Sequence, residues 1–269
     1  MTQKAKAEKL KALHERDKPF IIPNPYDRGT ARLLEGLGFE ALASSSAGYA
    51  YSIGTLDNRV GRDVMLAHIA DIVDATSLPV NADLENGWGD APDDVSETIR
   101  LGLVAGLAGG SIEDMAPDRT LYALDLAKAR IEAAAERAHG GEVPFVLTAR
   151  AENYLVGDRN LGSVIERLQA YQEAGADVLY APGLTEIGEI TELVRSVDRP
   201  VNILAGLPGH SLTVEQLGVA GVKRISTGSA LAVAALGGFI KAAKEMRDQG
   251  SFTFASNDPP YGDLTSLLG

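Results

Sequence analysis

The segment NADLENGWG sets two carboxylates, Asp83 and Glu85, two residues apart and follows them with a glycine-rich turn. A third acid, Glu113, comes from SIED farther along. If the chain stays extended through Asp83 and Glu85, both side chains point to one side, because strand side chains alternate. Three carboxylates brought together repel one another unless a cation lies among them. All-oxygen donors favour Mg²⁺, or Mn²⁺ as an alternative, and Mg²⁺ usually keeps several waters. One direct carboxylate contact, with the others made through water, is therefore expected. As an isolated pair, Asp83 and Glu85 would read as loop acids capping the next helix. Glu113 and the place of all three acids in the fold weigh against that.

Arg150 ends the apolar run PFVLTA, just before Glu152 and Asn153. An arginine there is a buried partner of Glu113 or Glu152, a clamp for a carboxylate, or both. Ser44-Ser45-Ser46-Ala47-Gly48 is a turn of small residues, either an anion nest or an ordinary tight connection. GSALAVAAL, after the last strand, offers a Gly-Ser turn before a helix, suited to phosphate or merely to packing. Of the four histidines, none has metal-ligand spacing. His14, His68 and His139 are expected on exposed helix faces, whereas His210 in GLPGHS could reach a site.

These groups need a scaffold. Eight short apolar segments recur: PFIIP (19–23), EALASSS from Glu40, PVNADLE from Pro79, GGSIED from Gly109, PFVLTARAE from Pro144, DVLYAP from Asp177, PVNILA from Pro200 and VKRISTG from Val222. Most are apolar on both faces, as buried parallel strands are. Between them, RGTARLLEGLG, DDVSETIRLGLVAG and GSVIERLQAYQEAG are amphipathic and end on glycine, a helix stop. Eight helix–strand units predict an α/β fold, a (β/α)8 TIM barrel. An open doubly wound sheet is the alternative, but no GxGxxG follows the first strand. In a barrel the chemistry sits at the carboxyl ends of the strands. There the segments place Asn24, Ser44 to Ser46, Asp83 and Glu85, Glu113 and Asp114, Arg150 with Glu152 and Asn153, and Asn202.

The chain of 269 residues suits one barrel domain, residues 1–269, with an N-terminal helix within 1–18 and a tail over 252–269. That tail, with Asn257-Asp258-Pro259-Pro260, is turn-rich and a candidate for packing on a neighbouring subunit. A formal charge of −12 argues against nucleic acid or an anionic membrane as partner. No apolar run spans a bilayer, and the charged N-terminus lacks a signal-peptide pattern. The absence of cysteine removes disulfides, thiolate metal sites and a cysteine nucleophile or acid, and fits a cytoplasmic location.

In order, PNPYDRGTARLLEGLGFEALASSSAG, IGTLDN, ADLENGWG, SIEDM, TARAENY and PVNILAG resemble the isocitrate lyase/phosphoenolpyruvate mutase superfamily, over roughly Pro23 to Gly250. The resemblance implies Mg²⁺ bound to a small 2-oxo or enolate-like carboxylate. It also implies a homo-dimer or homo-tetramer with a C-terminal helix swapped between subunits. By resemblance Asp83 is the direct metal ligand, Glu85 and Glu113 hold metal-bound waters, and Asp57 is a further acid of the site. Ser45, Ser46 and Ala47 correspond to the loop that grips the substrate carboxylate, and Arg150 to the arginine on substrate oxygens. The chain departs from the family where lyases carry KKCGH or KRCGH, reading EDMAPDRTLY instead. Mutase lysine and histidine positions read Met115-Ala116-Pro117 and Tyr180-Ala181-Pro182-Gly183. Glu85 replaces a usual aspartate.

The expected activity is Mg²⁺-dependent carbon–carbon lyase or decarboxylase chemistry on a small 2-oxo- or 2-hydroxy-carboxylate through an enolate. Asp118, Tyr122, Tyr49 and Tyr180 are unranked candidates for the missing acid or base. A phosphonate P–C enzyme or hydrolase, and a non-catalytic metabolite-binding barrel, are the alternatives.

Overall fold

A computed structural model describes residues 1–206, 208–209, 211–256 and 261–268. Its elements run α1 (Gln3–His14), β1 (Phe20–Ile22), α2 (Arg28–Gly36), β2 (Leu42–Ala43), α3 (Ser46–Ser52), α4 (Arg62–Ala75) and β3 (Val80–Asp83). Next come α5 (Pro92–Val104), β4 (Gly109–Glu113), α6 (Leu124–His139), β5 (Val146–Arg150), α7 (Leu161–Glu173) and β6 (Val178–Tyr180). The chain ends with α8 (Ile187–Arg195), β7 (Val201–Leu204), α9 (Val214–Val219), β8 (Arg224–Ser226), α10 (Ala230–Gln249) and α11 (Tyr261–Leu268). His210 and Asn257 to Pro260 lie outside the described residues.

All eight predicted strands form, in one parallel sheet of order β1-β8-β7-β6-β5-β4-β3-β2. The seam between β1 and β2 is drawn together by a backbone bond from Ala43 N to Pro23 O at 3.0 Å. Asn24 adds a side-chain bond from Nδ2 to Ser44 O at 2.9 Å. The result is a nearly closed (β/α)8 barrel. The glycines that end α2, α5 and α7 (Gly38, Gly106 and Gly175) have φ of 86°, 89° and 102°, the left-handed region open to glycine at little cost.

Two apolar layers hold the barrel. Outside the sheet, Ile69, Ile72, Val95, Ile99, Leu168 and Leu193 bury against the strands. Inside, Ala7, Leu10 and Leu13 of α1 meet Phe20, Ile22, Val146 and Val178, so α1 plugs the amino-terminal end. Gly109 serves this plug, since a Cβ there would lie 2.6 Å from Val146 O and 3.1 Å from Leu10 Cδ2. His14 and His68 correct the expectation of exposure, because both are buried. Each sits on the inward stripe of its helix. Burial pushes the His14 imidazole down to about 3 and the His68 imidazole to about 4, with the Arg224 charge adding to the effect at His14. His139 is on the surface as expected, and its Nε2 meets Asp177 Oδ2 at 2.9 Å.

Near the end of the chain, α11 lies on α2 of the same chain, where the Arg32 guanidinium donates to the Leu268 carbonyl. Among the described residues no helix is long and apolar enough to cross a membrane.

Candidate active site

A cavity of about 150 Å³ opens at the carboxyl ends of the strands. Its walls include Asp57, Asp83, Glu113, Arg150 and Asn202, together with Ser45, Ser46 and Ala47. These residues come from distant parts of the sequence, so the barrel register brings them together. Asp83 pairs with Ser111, Glu113 with Arg150, and Arg150 with Tyr180, strand by strand around the rim.

Asp83 is the last residue of β3 and is held from two sides. Ser46 Oγ donates to Asp83 Oδ2 at 2.8 Å, and Arg150 Nη1 donates to Oδ1 at 3.1 Å. The same Nη1 lies 2.8 Å from Glu113 Oε1, and Arg150 Nε bonds Glu152 Oε1 at 2.7 Å. Arg150 thus joins three carboxylates, and its side chain is only 12% exposed. Burial works against the guanidinium charge, but Glu113, Glu152 and Asp83 more than reverse the effect and hold the proton. Arg150 is therefore a buried ion-pair partner that also presents itself to the cavity.

The acids show the strain of being crowded. Burial pushes the Glu113 carboxyl well above the usual carboxylate range; Arg150 pulls it back only in part, and Glu152 adds repulsion. Burial, then the Asp83 charge, raises Asp57, while a bond from Ser46 opposes the rise. Burial, Asp83 and Asp57 push Glu85 up to about 8. Asp57 Oδ1 and Glu85 Oε1 are buried without a hydrogen-bond partner.

Glu85 does not follow the alternation expected of an extended chain. β3 stops at Asp83, and Glu85 has a φ of 47°, a left-handed conformation that costs a non-glycine residue roughly 1–2 kcal/mol. Glu85 borders a neighbouring cavity with Asn58, Asn86, Trp88 and Asp90. Strain of this kind concentrates at functional sites.

A divalent cation fits this donor set in one particular manner. Among the described residues no three acids or histidines meet in ligating geometry. Asp83 is the acid most directly presented, and Asp57 and Glu85 carry buried oxygens that lack a donor. A small ion that keeps most of its waters, with Asp83 as its direct carboxylate, suits that pattern. Asp57, Glu85 and Glu113 would then hold the waters.

Several polar residues predicted for the rim have other tasks. Asp114 is buried, taking bonds from Glu152 N at 2.8 Å, Tyr171 Oη at 2.5 Å and Arg167 Nη1 at 3.1 Å. It anchors the strand ends to α7 and so steadies Glu152 beneath Arg150. Asn153 Nδ2 bonds Asp158 and Ser163 at 2.8 and 3.1 Å, away from the cavity. Asn24 Oδ1 accepts from the backbone N–H of Thr227 and of Gly228, each at 2.9 Å. The Gly-Ser turn before α10 therefore spends those donors on the protein itself rather than on a phosphate.

The sequence reading missed Arg224. This residue opens β8 and lines the cavity floor, bonding Asn202 Oδ1 and Thr148 Oγ1, each at 3.0 Å. Among the described residues it has no carboxylate in ion-pair reach, and its Nη1 has no partner. Burial lowers its pKa to about 10, with Tyr180 opposing. A charged residue between the buried apolar positions Val222 and Ile225 of VKRISTG was the available signal.

Eight β/α units, with acids and an arginine gathered at the carboxyl rim, define the class: a (β/α)8 TIM barrel with a charged cavity at the carboxyl ends of its strands. Residues 10–247 match the phosphoenolpyruvate phosphomutase family. A crystal structure from Burkholderia cenocepacia J2315, provisionally described as a lyase/mutase, shares 55% identity with a TM-score of 0.96, covering 99% of this chain and 96% of that one. The 2-methylisocitrate lyase of Escherichia coli K12 is 29% identical over 202 residues, 71% of this chain and 67% of that enzyme. An oxaloacetate acetylhydrolase, solved with its product oxalate, is 26% identical with a TM-score of 0.86, covering 98% of this chain and 94% of that one. The chain belongs to the phosphoenolpyruvate mutase family, within the phosphoenolpyruvate mutase/isocitrate lyase superfamily.

Proposed function

We propose that the chain is a Mg²⁺-dependent carbon–carbon lyase or decarboxylase acting on a small 2-oxo- or 2-hydroxy-carboxylate through an enolate. The observation that carries this reading is Asp83, fixed by Ser46 and Arg150 at the mouth of a cavity it shares with Glu113 and Asp57. Bound Mg²⁺ would supply a Lewis acid for the negative charge that cleavage leaves on the 2-oxygen. Arg150 offers a fixed positive charge to substrate oxygens, with its orientation set by Glu152. Ser45, Ser46 and Ala47 line the wall where the substrate carboxylate would sit, and Asn202 lines the floor. The Met115–Leu121 segment closes on itself as a short turn through a bridge between those two residues, without a cysteine to act as acid. Decarboxylation needs no base to begin, so the reading survives that loss. The relative solved with oxalate supports the substrate class, since oxalate is a planar dianion shaped like a pyruvate enolate.

We further propose a homo-oligomer in which α10, the long helix after β8 near the end of the chain, is exchanged between subunits. Support comes from α10, where Val233 is 53%, Phe239 70% and Ile240 50% exposed.

The test of the activity is an oxalate titration by calorimetry, with and without Mg²⁺. Binding that requires Mg²⁺ and disappears in Asp83→Ala is expected. Absence of binding under both conditions would overturn the reading.

A further inference from the structure

We propose that Tyr180 is the general acid of the site, delivering its phenolic proton to the substrate carbon left electron-rich when the carbon–carbon bond breaks. This rests on the lyase or decarboxylase reading given above.

Position makes the first argument. Tyr180 ends β6 and lines the same cavity as Asp83, Glu113 and Arg150. The other three groups with suitable chemistry are elsewhere. Asp118 is exposed and bound to Thr120 Oγ1 at 2.6 Å. Tyr122 is committed outside the cavity to Asp90 Oδ1 at 2.6 Å and to Asn86 Nδ2 at 2.9 Å. Tyr49 stacks on His68 with ring centroids 3.7 Å apart, also outside the cavity. Among the described residues, Tyr180 is the one phenol on the cavity wall.

Charge makes the second. The Arg150 guanidinium carbon lies 5.0 Å from the Tyr180 ring centroid. Arg224 is buried on the cavity floor, and among the described residues its hydrogen-bond partners are the neutral Asn202 and Thr148. A buried cation without a counter-charge is costly. Tyr180 as a phenolate would give Arg224 a counter-charge at the moment the proton leaves. Arg150 beside the phenol, with Arg224 lining the same cavity, thus makes loss of the proton easier than burial alone allows. Ser226 adds a hydrogen bond to the Tyr180 hydroxyl.

The resting state fits an acid rather than a base. Burial pushes the phenol up to about 12, with Arg150 and Ser226 opposing, so Tyr180 holds its proton at neutral pH. The step balances simply. As the carbon–carbon bond breaks, its electron pair enters the enolate. The Tyr180 O–H bond then breaks, its proton forms the new C–H bond, and the pair stays on the phenolate oxygen. Water afterwards returns a proton to the phenolate.

The test uses pyruvate with Mg²⁺ in deuterium oxide at a series of pD values up to about 11, following methyl hydrogen loss by proton NMR beside the oxalate titration; exchange runs the proposed step in reverse and draws on the phenolate form of Tyr180, so it should rise with pD. Tyr180→Phe keeps the ring over Arg150, so Mg²⁺-dependent oxalate binding is expected within about threefold of the unmodified protein. Exchange should fall by on the order of 100-fold or more, the scale of lost acid–base catalysis. Arg224→Gln keeps the phenol but removes one cation, and slower exchange with intact oxalate binding is expected. Exchange by Tyr180→Phe within about tenfold of normal would overturn the proposal. So would an unmodified protein that binds oxalate but exchanges no methyl hydrogen. An unmodified protein that binds no oxalate would instead overturn the underlying site reading, and this proposal with it.

Discussion

Replacing Arg150 with methionine isolates what the guanidinium does for the fold. Methionine is similar in length and apolar, so little cavity is left and the change is mainly one of charge. In the native protein Arg150 meets Glu152 at 2.7 Å, Glu113 at 2.8 Å and Asp83 at 3.1 Å. Its side chain is 12% exposed, so solvent screens these contacts weakly. Removing one partner from a buried ion pair costs about 3–5 kcal/mol, because the remaining charge is stranded. At about 2–4 °C per kcal/mol for a domain near this size, the melting temperature should drop by about 6–20 °C. The cost must also depend on pH. Glu113 and Glu152 already sit above the usual carboxylate range because of burial, and loss of Arg150 drives them higher. A raised carboxyl pKa gives stability that is full below the ordinary value of 4.5 and is lost as pH rises through the folded value. The acids of Arg150→Met therefore keep their protons near pH 5, where the gap to the native protein is small, and the gap widens towards pH 9. Urea denaturation of both proteins in chelator, at pH 5 and pH 9, measures this. A cost below about 1 kcal/mol at pH 9, or one equal at both pH values, would refute the reasoning.

Glu85→Gln should stabilise the metal-free protein by roughly 4–5 kcal/mol at pH 9 and by under about 1 kcal/mol at pH 5. The folded Glu85 carboxyl is pushed up to about 8 from 4.5, so native stability falls as pH rises between those values, whereas glutamine carries no such penalty. Thermal melts across that range check the sign, and a stabilisation that shrinks with rising pH would contradict it. For the oligomer, light scattering should give a mass of at least two chains, and Phe239→Asp on α10 should lower it. A single-chain mass for the unmodified protein would end that proposal.

The sequence by itself determined the eight strands, their order as β/α units and the acids at their carboxyl ends. Those features are local: apolar runs buried on both faces, amphipathic helices between them, and glycines such as Gly175 that only a left-handed stop explains. Asp83, Glu113, Arg150 and Ser46 were legible because a charged or polar group directly after a buried strand has one rim to occupy. Tertiary structure decided the rest. Glu85 left the expected side because a left-handed φ follows the strand end, and alternation holds only while the chain stays extended. His14 and His68 became buried because their helices turn those faces to the barrel, which weak helical patterns do not reveal. Asn24 reaching Thr227 and Gly228, and Arg224 reaching Thr148, depend on closing the barrel between strands distant in sequence. Closure also singles out Tyr180 from Tyr49 and Tyr122. A phenol has the same chemistry in all three places, and only the fold decides which one lines the cavity with Arg150 and Arg224.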